Sequence, residues 1–203
     1  MSIDPNILAK EFPAAADQIY LNCAARGLTP RRARRAVDKV LDACMEGSVD
    51  KDQMFTLVER VRNAFAQMIC GDPDEIAITK NVSEGLNAII AALDMKAGDN
   101  VILCPSLEHP NNVYPWLHLR ERLGIEVRAV EGDAGRIPVE HMIEVMDERT
   151  RCVTVASVSF SPGFRTDLKP LGQACRDNGI FFLVDGVQSL GIVETNVNAL
   201  NID

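Results

Sequence analysis

The segment Phe181-Phe182-Leu183-Val184-Asp185-Gly186-Val187-Gln188 sets an acid directly behind four apolar residues. Such an aspartate stands at the carboxyl end of a buried strand, next to a low-dielectric core. Its charge is costly there unless it meets a cation or strong donors. A protonated ring nitrogen would be one partner; a metal or a ribose hydroxyl would be others. A second segment, Pro105-Ser106-Leu107-Glu108-His109-Pro110-Asn111-Asn112, follows another apolar run and puts His109 at the same kind of strand end. A histidine in that loop is either a ligand contact or an ordinary surface or structural residue. A third, Thr79-Lys80-Asn81-Val82-Ser83-Glu84-Gly85, reads as a helix start with Ser83 as its cap. The next N–H groups point outward with the positive end of the helix dipole, which suits a phosphate and equally an unremarkable capped helix. The fourth runs from Ser157 through Arg165 to Leu168 and brings hydroxyls and a guanidinium to a strand end. Part of it has a structural explanation, since Thr166 or Asp167 also reads as a helix cap.

These loops need a scaffold that collects strand ends on one rim. From residue 75 onward, short apolar runs alternate with helical periodicity. Strands are expected over 75–79, 101–104, 125–130, 152–156 and 181–184, and helices over 83–93, 112–123, 139–146 and 168–178. This alternation predicts an α/β fold with a mainly parallel sheet and helices on both faces. Ligands of such sheets sit beyond the carboxyl ends of the strands. The first 20 residues read as an irregular arm ending in Ile19-Tyr20-Leu21-Asn22. Thr29-Pro30 reads as a capped helix start, followed by a helix over 31–46 with Ala33, Val37, Val40, Leu41 and Cys44 at helical spacing. A second helix fits 53–69. The domain reading from this pattern is residues 1–70 as arm and two helices, and 71–203 as the α/β domain.

Composition narrows the partners. The 203 residues carry 21 Lys and Arg against 29 Asp and Glu, a net charge of −8. This argues against nucleic acid and against an anionic membrane surface. No apolar run would span a bilayer, and the N-terminus lacks a signal-peptide pattern, so a cytoplasmic protein is expected. Six cysteines at wide, irregular spacing read as reduced thiols, mostly buried, with Cys70 or Cys104 as the candidates for reactivity. The three histidines are too scattered for a metal site. Neither G-x-G-x-x-G nor a Walker pattern occurs.

In order and spacing, the segments resemble the class V aminotransferase family of fold-type I pyridoxal-phosphate enzymes. That family includes cysteine desulfurases, selenocysteine lyases and isopenicillin N epimerase-like proteins. The resemblance starts at Tyr20-Leu21-Asn22-Cys23-Ala24-Ala25 and runs to the last residue. It passes through Ser83-Glu84-Gly85-Leu86-Asn87, Glu108-His109 with Asn112 and Pro115-Trp116, and Gly163-Phe164-Arg165-Thr166-Asp167-Leu168. It closes on Asp185-Gly186-Val187-Gln188. It implies pyridoxal 5′-phosphate as cofactor, an amino acid as substrate and a homodimer. It also implies roles: Asp185 pairing with the pyridine nitrogen, Gln188 donating to the phenolic oxygen, His109 stacking on the ring. Ser83, with backbone around Val82 and Glu84, would hold the phosphate. His109 and Asp185 are thus the implied catalytic pair.

Three departures qualify the resemblance. Val82 stands where the family often has Thr. Phe160 stands where desulfurase-type members usually have Asn, which shifts the expectation toward the epimerase-like branch. No lysine follows Lys169, whereas the family's Schiff-base lysine lies one strand and a turn beyond the motif aspartate. The resemblance therefore implies that residues 71–203 are a partial cofactor-binding large domain, and that the sequence is an N-terminal fragment of an enzyme acting at Cα of an amino acid, inactive alone. The rival reading is a non-catalytic remnant acting through protein contacts.

Overall fold

A computed structural model describes residues 5–203. The reading of the signal-free N-terminus rests on residues 1–4, which lie outside the described ones. The chain forms two compact units, Met1–Val58 and Glu59–Asp203.

In the first unit, residues 5–17 are not an irregular arm. They form helices α1 (Pro5–Glu11) and α2 (Ala14–Asp17). The buried Glu11 carboxylate accepts the Arg32 N–H at 2.9 Å and lies 3.5 Å from the Arg35 guanidinium. That ties α1 to the start of α3 (Arg31–Glu46) and supplies a long-range contact that no local pattern announces. Pro30, not Thr29, occupies the N-cap position of α3, with no side-chain cap bond. The helical period of α3 is as expected, but its apolar face is uncovered, with Val37, Leu41 and Met45 all exposed. The boundary between the units falls inside α4 (Lys51–Ile69).

The second unit holds a four-stranded parallel sheet. Its strands are β1 (Asn100–Leu103), β2 (Glu126–Ala129), β3 (Thr150–Ala156) and β4 (Phe181–Asp185), in the order β2-β1-β3-β4. The helices are α5 (Val82–Ala92), α6 (Tyr114–Leu123), α7 (Val139–Glu144) and α8 (Leu168–Asn178). Alternation along each strand divides the core in two. Val101, Leu103, Cys152 and Leu183 pack with Leu86, Ile90 and Trp116. Ile102, Val153, Val155 and Phe182 pack with Met142, Leu171 and Cys175 on the other face. Two-sided burial is why β1, β3 and β4 read as largely apolar runs, while the edge strand β2 is only partly buried.

The expected strand over 75–79 does not form. Asp72 caps a 3₁₀ turn, Pro73–Glu75, by accepting the Asp74 N–H, while Glu75 accepts the Asp72 N–H at 3.1 Å. Residues 76–79 then run on without a strand partner among the described residues. The Ile76 carbonyl accepts from Arg62 Nε at 3.0 Å, and Ile78 is 57% exposed. Apolar alternation makes a strand only where a neighbouring strand and a covering layer exist.

The fold also demands one close approach. A Cβ on Gly172 of α8 would fall inside the van der Waals envelope of the Leu200 carbonyl oxygen and 3.2 Å from Phe182 Cδ1. Gly172→Ala is expected to destabilise the chain by about 1–3 kcal/mol in denaturant unfolding. It should do so although alanine is favoured by about 1 kcal/mol in a free helix. A stabilised variant would show that α8 does not pack this closely.

Candidate active site at the β1–β3 crevice

In the order β2-β1-β3-β4 the chain leaves β1 toward one side and β3 toward the other, so a crevice opens beyond their carboxyl ends. The β1 loop enters this crevice. It carries the buried Glu108, the exposed His109 and the fully buried Asn112. His109 caps the 3₁₀ turn Pro110–Asn112, its Nδ1 accepting the Asn111 N–H at 3.3 Å. That bond leaves the proton of the neutral imidazole on Nε2. The ring meets Phe160, from the β3 loop, edge to face at 5.2 Å between centroids.

Asp185 ends β4, paired in register with Ala156 of β3. Its Oδ1 accepts the Val187 N–H at 2.9 Å, and its main-chain carbonyl accepts from Ser157 N and Ser157 Oγ. No protein partner takes Oδ2 among the described residues. Gln188 is half-buried in the next turn, and its side chain makes no hydrogen bond among the described residues.

The cap of helix α5 lies two residues earlier than in the sequence reading. Asn81, not Ser83, is its N-cap, accepting the Glu84 N–H at 2.9 Å. The spacing Asn81-x-x-Glu84 carries that signal. The Glu84 carboxylate folds back on Lys80, accepting its N–H at 2.8 Å with Nζ at 3.7 Å. The Glu84 N–H is thus spent inside the protein. Those of Val82 and Ser83 have no protein acceptor among the described residues and stay exposed at the helix start. The helix packs against the turn that follows His109. In the β3 loop, Asp167 caps α8, while Thr166 Oγ1 donates to the Ala156 carbonyl at 2.7 Å.

Glu108 enters the sequence reading only as part of the Glu108-His109 motif, with no role assigned, yet it joins the two sides of the crevice. Its Oε1 accepts the Ala156 N–H at 2.7 Å and its Oε2 accepts from Asn112 Nδ2 at 2.8 Å. Asn112 Oδ1 in turn accepts from Thr154 Oγ1 at 2.9 Å. Burial pushes the Glu108 carboxyl up from its usual 4.5 to about 7, outweighing both accepted bonds, and the Asp185 carboxylate adds to the rise. The motif does not signal its burial, because an acid in a loop is ordinarily solvated.

The cysteines divide evenly, with Cys104, Cys152 and Cys175 buried and Cys23, Cys44 and Cys70 exposed. Burial raises the Cys104 thiol and so removes it as a nucleophile. No group of three His, Cys, Asp or Glu side chains is placed to hold a metal among the described residues. Nor is any described helix long and apolar enough to cross a membrane.

The Aminotransferase class-V profile matches residues 19–203. The chain belongs to that family. A class-V relative from Methanothermobacter thermautotrophicus, described as a probable cysteine desulfurase, is 34% identical over 200 residues, 96% of this chain and 50% of its own length. Another of that description, from Pyrococcus abyssi, is 32% identical over 98% of this chain and 51% of its own. The apo cysteine desulfurase of Thermococcus onnurineus superposes with a TM-score of 0.86 at 31% identity, covering 100% of this chain and 52% of that one. A C-DES variant, solved with glycine covalently linked to its PLP cofactor, gives a TM-score of 0.83 at 26% identity. These structures establish the fold-type I large-domain architecture expected from sequence. The class-V chain described here spans about half the length of the curated relatives it matches.

A carboxyl whose folded pKa lies above its unfolded one stabilises the fold fully below the unfolded value, and that stability is lost as pH rises through the folded value. For Glu108 the window runs from 4.5 to about 7. The stability of wild type minus that of Glu108→Gln is therefore expected to fall by roughly 3 kcal/mol between about pH 4 and about pH 8. Denaturant unfolding at each pH measures it; a flat difference would contradict the burial argument.

Proposed function

We propose that the whole protein is a pyridoxal-phosphate-dependent enzyme acting at Cα of an amino acid, and that this chain supplies most of the cofactor's binding surface. The observation that carries the reading is Asp185. Its carboxylate is fixed through one oxygen by Val187 N–H, keeps the other oxygen free of partners among the described residues, and ends the strand next to the crevice. This donor set fits a protonated heterocyclic nitrogen, which takes one oxygen of a carboxylate held in place.

The surrounding residues fit the remainder of the group. The exposed imidazole of His109 offers a flat face for a ring. Gln188 is free to donate to a phenolic oxygen. The unengaged N–H groups of Val82 and Ser83, with the Ser83 hydroxyl, suit a phosphate at the start of α5; the Glu84 N–H, committed to Asn81, does not join them. Pyridoxal 5′-phosphate, when bound, supplies an electron sink for charge developing at the substrate Cα. Asp185 maintains that capacity by holding the ring nitrogen protonated, while His109 and the crevice walls orient the ring. The relatives' descriptions make cysteine the first substrate to assay. A homodimer in the cytoplasm belongs to the same reading and rests on the resemblance.

Titration of pyridoxal phosphate into the 203-residue chain, followed by absorbance or fluorescence, tests this. Asp185→Asn is expected to weaken binding about tenfold, the scale of one charge-assisted hydrogen bond. Unchanged affinity would remove the aspartate from the cofactor site and overturn the proposal.

A further inference from the structure

The end of β3 has a backbone problem that side chains solve. Beyond Leu103 the chain of β1 turns away, but β3 continues to Ala156. The N–H and carbonyl of Ala156 are then closed by the side chains of Glu108 and Thr166, at 2.7 Å each. Glu108 thus stands where a strand residue would have stood. Its second oxygen is held by Asn112, itself fully buried and held by Thr154. Two buried anchors, at 108 and 112, therefore bracket the short turn on which His109 is mounted.

We propose that Glu108 is a positioning residue: its carboxyl pins the His109 turn to the end of β3 and so sets where the imidazole stands relative to Asp185, one strand further on. Among the described residues, His109 itself makes only the local bond from Asn111 N–H and the edge contact with Phe160. Neither links it to the sheet. The turn is tied to β3 through Glu108 to Ala156 and through Asn112 to Thr154, and Ala156 is in register with Asp185. The consequence for ligand binding depends on the cofactor reading above; the placement of His109 does not.

Two readouts on the full chain separate these. The first is the ring-current contribution of Phe160 to the His109 ring-proton shifts, assigned with His109→Asn. Glu108→Ala is expected to abolish that contribution and to weaken pyridoxal phosphate binding about tenfold. Glu108→Gln keeps an acceptor for Ala156 N–H and, with the Asn112 amide turned over, a bond to Asn112, so it should restore most of both. Glu108→Asp retains the charge but withdraws the carboxyl by one methylene, and should behave like the alanine variant. If the alanine variant does not fold, the aspartate variant decides. A folded Ala or Asp variant with wild-type His109 shifts would overturn the proposal. Shifts that change as expected in a chain binding no pyridoxal phosphate at all would leave the positioning role standing and count against the cofactor reading alone.

Discussion

A parallel strand that outruns its neighbour leaves polar backbone groups without a ladder, and buried groups of that kind must find partners. The crevice between β1 and β3 is organised by this constraint at Ala156. Glu108 takes its N–H and Thr166 its carbonyl, each from a different loop. The two loops that line the rim are thereby anchored to the same residue. Closing the ladder with side chains costs a buried carboxyl, and its raised pKa records that cost. In return the strand ends can diverge, which is what opens a hollow in a doubly wound sheet.

The electrostatics of the rim follow from the same arrangement. Two carboxyls, Glu108 and Asp185, approach one crevice. Glu108 is enclosed and takes two hydrogen bonds, whereas Asp185 is only half-buried and has one oxygen without a partner among the described residues. The enclosed acid tends toward its neutral form and the open one is available to a cation. Burial is the main cause of the Glu108 rise, and the nearby Asp185 carboxylate adds a smaller push. The free N–H groups at the start of α5 add the opposite field, with Glu84 restrained by Lys80.

Much of the scaffold was readable because its signals are local. Four strands, the period of every helix from α3 onward and the Asp167 cap all follow from apolar runs, spacing and cap chemistry. The failures share one cause. Residues 76–79 have the alternation of a strand but no partner to pair with, so Arg62 satisfies the Ile76 carbonyl instead. Residues 5–17 lack a strong period, yet Glu11 reaches Arg32 across 21 residues and the segment becomes helical. In both cases the decision was taken by groups far away along the chain.

The sequence by itself determined the kind of sheet, its two-faced burial and the positions of Asp185, His109 and the α5 start at strand or helix ends. These depend on residue type and near neighbours, which a linear pattern records. Only the tertiary structure decided that Glu108 spans the crevice to Ala156, 48 residues away, whereas the Asn81 cap of α5 is a local contact with Glu84. It alone brought His109 against Phe160. A hydrogen bond across a gap between strands needs the order and register of the sheet, and those arise from packing the whole unit at once.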